Sequence, residues 1–136
     1  MIENKRKHLE LIQGIVNRLS TNSFLLKGWS VALVSAMFAL SSKDSRDAFL
    51  FLAYIPAVIF WGLDGYCLWQ ERLFRALYKH VRVMPDKDVD FCMSTAKITR
   101  GKGLKWIDSV FSLTLILFHG ALIVAIVLVM FLGLTK

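Results

Sequence analysis

Three stretches of this chain are too long and too apolar to rest anywhere but in a lipid bilayer: residues 24–40, 48–69 and 107–134. A hydrocarbon core about 30 Å thick takes about 20 mostly apolar residues in helical form. The second and third stretches reach that length. The first nearly does, if the polar residues through Ser23 are left out and Lys27 stretches its ammonium toward the surface. With 136 residues in all, the rest must be built around these spans. The expectation is one all-α membrane domain, 1–136, with no separate soluble core.

Basic residues crowd one side of the spans. Lys5, Arg6, Lys7 and Arg18 precede the first, and nine more Lys or Arg, from Arg72 to Lys105, lie between the second and third. Only Lys43, Arg46 and Lys136 fall on the other side, a division of 13 against 3. That asymmetry is the positive-inside signature. It predicts a bacterial inner-membrane protein with the N-terminus and the long connection in the cytoplasm and the C-terminus outside. The formal net charge of +7 is then a matter of topology and calls for no nucleic acid. Ala39-Leu40-Ser41 resembles a signal-peptide cleavage site, but the long patterned region before it predicts that the first span is retained. Cys67 and Cys92 have no metal-ligand spacing around them, and a reducing cytosol gives them no disulfide. Neither a metal nor a cofactor is expected.

Within residues 1–22, Leu9, Ile12, Val16 and Leu19 follow the spacing that gathers apolar groups on one helical face. This predicts an amphipathic cytoplasmic helix. Ser20-Thr21-Asn22-Ser23 offers N-cap chemistry for a fresh helix, so a bend at the membrane surface is expected there. Pro56 predicts a kink in the second span, because it cannot donate to the carbonyl of Leu52. Past Trp69 the pattern continues through Leu73, Leu77 and Val81, which extends the second span as a cytoplasmic helix to about residue 83. Met84-Pro85 ends it. The amphipathic N-terminal helix is the expected cover for this projecting face, within the chain or from a neighbouring subunit; lying on the lipid surface is the alternative. Residues 84–106 read as a cytoplasmic loop in which Val89, Phe91 and Met93 alternate with polar residues. The aromatic residues Trp61, Tyr66 and Trp69 read as an interfacial belt.

Ionisable groups within a membrane are costly, and each is a candidate functional residue. Lys27, Asp64 and Asp108 are expected in one layer near the cytoplasmic ends of the three spans, where Lys27 meets either carboxylate. They either fix register and topology or line a gate. Asp108, Ser112, Leu115 and His119 are four, three and four residues apart, a mostly polar stripe on a single long third helix. His119 is expected near mid-bilayer, bonded to Ser30 or Ser35 of a neighbouring helix or lining a proton-sensitive pore. Small residues at Gly28, Ala32 and Ala36, and again at Ala53 and Ala57, predict close helix packing. Arg100, Lys102 and Lys105 are expected at acidic lipid head groups or on an anionic ligand. Arg75 and His80 match the spacing of a ribonuclease motif in HEPN domains, but that domain needs a larger soluble bundle. No serine, cysteine or paired-carboxylate arrangement points to catalysis, and no enzyme is expected.

The runs from His8 to Gln13 and from Asn22 to Trp29, followed by Tyr54-Ile-Pro56, Phe60 to Asp64 and Gln70 to Arg75, carry a family resemblance. The chain resembles an uncharacterised group of small bacterial multi-span membrane proteins with Lys-Gly-Trp and Trp-x-Leu-Asp motifs, here Lys27–Trp29 and Trp61–Asp64. Such proteins are associated with mobile elements and anti-phage islands, and the resemblance implies a membrane-damaging effector without supplying catalytic residues. Three helices enclose no lumen, so conduction requires a homo-oligomer. The leading expectation is an oligomeric pore-type effector in contact with lipid. The alternative is an anchor that recruits a soluble partner protein through its basic helices.

Overall fold

The computed structural model describes residues 2–44, 47–96, 98 and 104–134. Its elements are α1 (Ile2–Asp44), α2 (Asp47–Leu52), α3 (Tyr54–Val83), α4 (Trp106–Val110) and α5 (Leu113–Leu134), with a 3₁₀ turn at Asp86–Asp88. No strand forms among the described residues. Three helical stretches are long and apolar enough to cross a bilayer, within 2–42, 48–83 and 113–133. The fold is therefore all-α with three candidate spans.

The first finding departs from expectation. The bend at Ser20–Ser23 does not occur, and α1 runs unbroken for 43 residues, roughly 65 Å at 1.5 Å per residue. The reason lies in its inward stripe. Ile12, Val16, Leu19, Ser23, Lys27, Ser30 and Val34 follow one another at three- and four-residue intervals, and each is buried or half-buried. The stripe never leaves the face that α3 covers, so the hydroxyls at 20–23 have no reason to stop the helix. Amphipathic segment and first span are one element.

α1 and α3 pack antiparallel along their length. Beyond the membrane-spanning part, Ile12 meets Leu77 and Val81 in a buried cluster, with Leu9, Phe74 and Met93 against it. Burying side chains of this size contributes about 1.5–3 kcal/mol each. The N-terminal helix thus covers the projecting face of α3 within the same chain. Lys5 closes the end of this hairpin. Its Nζ donates to the Met84 carbonyl at 2.9 Å and lies 3.4 Å from Asp86.

After the 3₁₀ turn the chain returns along the hairpin in extended form. Met93 turns into the apolar cluster, while Phe91 lays its ring 5.4 Å from that of buried His8. Phe91 holds φ at 54°, a conformation aromatic residues rarely adopt. The intervening Asp90, Cys92 and Ser94 face a cavity of about 340 Å³ against α3.

Within the second span, the helix breaks at Ala53, one turn before Pro56. The missing N–H at Pro56 leaves Leu52 without its helical donor, and the chain resumes when Ala57 donates to Ala53 at 3.4 Å. Ala53 itself keeps helical dihedrals, φ −64° and ψ −24°, so the interruption is confined to one residue. Ala53 and Ala57 are buried with Val34 and Ile126, which ties α1, α3 and α5 together beside the break.

The third apolar stretch is not one helix. It divides at Phe111–Ser112 into short α4 and the 22-residue α5, about 33 Å long and sufficient to span alone. Ser112 stands where a cap is needed, and its carbonyl accepts the first bond of α5 from Ile116 at 2.9 Å. The carbonyls freed at the end of α4 find donors on α3. Trp61 Nε1 donates to Val110 at 2.9 Å and Arg72 to the Asp108 carbonyl at 3.4 Å. Backbone groups at membrane depth must be satisfied in this way. Trp69 likewise donates to the Leu104 carbonyl at 2.6 Å and Trp106 to that of Gly62 at 3.4 Å. Trp61 and Trp69, two of the residues expected in an interfacial belt, latch α4 and Leu104, two residues before it, to α3. Gly65 lets α4 approach this closely: a Cβ there would overlap Val110 Cγ2 and lie 3.1 Å from its Cα.

Candidate intramembrane site

One carboxylate organises the interior. Asp64 is fully buried on α3, and three side chains converge on it. Lys27 Nζ lies 2.5 Å from Oδ2, and Ser23 Oγ donates to Oδ1 at 2.5 Å. His119 Nε2, from α5, stands 3.0 Å from Oδ2. Because an ionised carboxylate only accepts, Nε2 carries the proton and donates. Lys27 also donates to Ser23 Oγ at 2.8 Å, which closes a ring of hydrogen bonds through both oxygens.

Each contributor reaches this point for a local reason. Ser23 and Lys27 are one turn apart on the inward stripe of α1. Trp61, three residues before Asp64, lies on the same face of α3 and stacks on His119 with ring centroids 5.9 Å apart and planes within 7°. Phe118 meets the imidazole edge-on at 5.1 Å, and Lys27 lies 5.9 Å from the centre of the Phe118 ring. Aromatic rings therefore screen the charges from lipid on this side. The Lys27 side chain keeps 23% exposure, and Ser23 is likewise half-buried, so the network opens on that side. Charged groups in such a dry setting attract strongly, and charge-assisted hydrogen bonds reinforce the pairing.

The opposite edge of the imidazole is different. His119 Nδ1 is buried without a hydrogen-bond partner, and so is the Ser30 hydroxyl, one turn beyond Lys27 on the same stripe. Past Ser30 the interior is apolar, formed by Val34, Ala53, Ala57 and Ile126. The polar network thus ends against a dry plug.

Several expectations change. His119 is bonded to Asp64 rather than to Ser30 or Ser35, and the break before α5 places it in the layer of Lys27 and Asp64. Asp108 and Ser112 do not join the network. Asp108 is exposed on α4, and Ser112 caps α5, so the expected stripe is interrupted between Ser112 and Leu115. Gly28, Ala32 and Ala36 are exposed, and a Cβ on Gly28 would meet nothing within 4 Å. Among the described residues, no helix packs on that face. Lys105 is exposed, with its carbonyl accepting from the Ser109 amide at 3.3 Å; Arg100 and Lys102 lie outside the described residues. Ser23 and Trp61 are site residues that sequence reasoning missed. Their signal was spacing: four residues before Lys27 and three before Asp64, each on a face already committed inward. Among the described residues, no group of three or more His, Cys, Asp or Glu is arranged to hold a metal.

Comparison with protein-family models, with curated proteins and with solved structures gives no match for this chain.

Proposed function

We propose that the protein is a small oligomeric membrane effector, which depolarises the bacterial inner membrane through pathways built on the Asp64 network. The observation that carries this reading is the burial of Asp64 among Lys27, Ser23 and His119 between spans. Ionisable groups gathered at this depth are characteristic of ion and proton pathways rather than of inert anchors. The 13-to-3 division of basic residues supports a cytoplasmic N-terminus and an outer C-terminus. Self-association is supported by the uncovered small-residue face of Gly28, Ala32 and Ala36, since small residues allow helices in lipid to approach closely. The resemblance to small multi-span proteins of mobile elements adds phage defence as the setting.

The test uses that face. A Cβ added at Gly28 meets nothing within 4 Å, so Gly28→Leu should be accepted by the fold while it blocks the helix surface. The wild-type protein, produced in bacteria, should collapse the membrane potential reported by a voltage-sensitive dye and migrate as an oligomer in nanodiscs. The Gly28→Leu, Ala32→Leu double variant should reach the membrane in equal amount, migrate as a monomer and leave the potential intact. A wild-type protein that is strictly monomeric, or a double variant that depolarises like wild type, contradicts the proposal.

A second reading, recruitment of a soluble partner, draws on the hairpin outside the membrane. Arg75, Lys79, His80 and Arg82 are exposed there beside the cavity of about 340 Å³. The apolar face of α3 offers such a partner little, because α1 already covers it.

A further inference from the structure

We infer that the permeating species is the proton, carried by the His119–Asp64 relays of the assembled protomers and gated by the dry plug at Val34, Ala53, Ala57 and Ile126, which opens only in the oligomer. This rests on the depolarising function proposed above and identifies what crosses. Three observations lead to it. First, the polar groups form a chain and not a lumen: Lys27 and Ser23 at the basic end, then Asp64, then His119, with each link at 3.0 Å or less. A hydrated sodium or potassium ion has no room in such a chain, whereas a proton passes along hydrogen bonds. Second, His119 presents Nε2 to the carboxylate while Nδ1, on the far edge, is buried and unpartnered. An imidazole bonded at one nitrogen and open at the other is the arrangement that accepts a proton on one side and releases one on the other. The unpartnered Ser30 hydroxyl continues the polar stripe of α1 in the same direction. Third, the plug adjoins Pro56, whose missing N–H leaves the helical ladder one bond short where the path must open.

The step balances without a co-reactant. At rest Lys27 is an ammonium, Asp64 a carboxylate, and His119 neutral with its proton on Nε2. When the plug opens, a proton from the outer side bonds to Nδ1 and the ring becomes an imidazolium. The Nε2–H bond then breaks, and that proton bonds to Asp64 Oδ2. Asp64 releases it to water at the mouth beside Ser23 and Lys27 and returns to the carboxylate. The ring is left with its proton on Nδ1; once it has rotated toward the inner mouth, the Nδ1–H bond breaks to water there and Nε2 takes a proton from the same water, which restores the resting tautomer and leaves one proton moved inward. The charges facing the relay are Lys27 from α1 and Asp64 from α3, with the Cys67 thiol within electrostatic reach of both. From α5 only His119 itself is ionisable. The pair is neutral overall, so one added proton is the only transient charge.

The full chain reconstituted in vesicles separates the possibilities. Vesicles loaded with a pH dye and radioactive sodium ion are placed under a potassium diffusion potential. Wild type should pass protons and retain sodium. His119→Gln, which keeps a donor toward Asp64 but cannot relay, should lower proton flux by roughly tenfold or more. Val34→Thr, which wets the plug at nearly constant volume, should raise proton flux, and His119→Gln should cancel that rise. Sodium and protons crossing together, with His119→Gln indifferent, would overturn the relay and leave a water-filled oligomeric pore. An unchanged flux in Val34→Thr would overturn the plug as the gate. If neither ion crosses although the reconstituted protein is oligomeric, both the relay and the depolarising function fall.

Discussion

Asp64→Ala should unfold the bundle at markedly lower temperature in lipid nanodiscs, with a loss of about 3–5 kcal/mol, the scale found when one partner of a buried ion pair is removed. The carboxylate is fully buried and receives Lys27, Ser23 and His119 together. Without it the half-buried ammonium loses its counter-charge and two further donors lose their acceptor. Lys27→Met should cost less, because Asp64 keeps Ser23 and His119 as donors. The combination of Lys27→Met with Asp64→Leu should recover most of the loss, since apolar groups of similar volume need no partner. Thermal melts of the four proteins form the check. Additive losses in the double variant would mean that the two side chains stabilise the bundle independently, contrary to the geometry.

The second large effect concerns packing. Gly65→Ala should destabilise by about 1–3 kcal/mol, the range for inserting a methyl group into a filled interior. The added carbon overlaps Val110 Cγ2 and crowds the Val110 backbone, so α4 itself has to move. That movement strains the Trp61 and Trp106 links between α3 and the α4 region. Val110→Ala alone should be nearly neutral, and combined with Gly65→Ala it should rescue only part of the loss, because the Val110 Cα and Cβ remain at 3.1 and 3.2 Å. Full rescue, or no effect of Gly65→Ala, would show that α4 is not seated on α3 at this point. Melting temperatures in the same nanodiscs decide it.

Most of the architecture was legible because the bilayer imposes length and apolarity on whatever crosses it. Pro56 announced the break at Ala53, and the apolar run past Trp69 announced the extension to Val83. What sequence reasoning misjudged were serines. Ser20–Ser23 read as a cap because hydroxyls compete with the helix for backbone partners. In the folded chain, Ser23 serves Asp64, and α1 continues beneath it. Ser112 read as one member of a stripe, yet it is the residue that starts α5. Both errors have one cause: a hydroxyl serves equally as cap and as interior donor, and only the neighbouring helix decides between them. The convergence of Lys27 with Asp64 was visible as a shared layer. The bond from His119 to Asp64 was not legible, because the break at Phe111–Ser112 leaves no trace in hydropathy. The uncovered face at Gly28, Ala32 and Ala36 could not be resolved within one chain, since its expected partner is another copy.

The measurement that bears most directly on the account is side-resolved labelling with a membrane-impermeant maleimide, in protein whose Cys67 and Cys92 are replaced by serine. Three crossings put the chain ends on opposite faces, with the basic hairpin inside. Glu3→Cys should react only after the cytoplasmic side is exposed, and Leu134→Cys should react in intact spheroplasts. If both positions react from the same side, the chain crosses an even number of times, and an Asp64 network enclosed by three spans cannot exist.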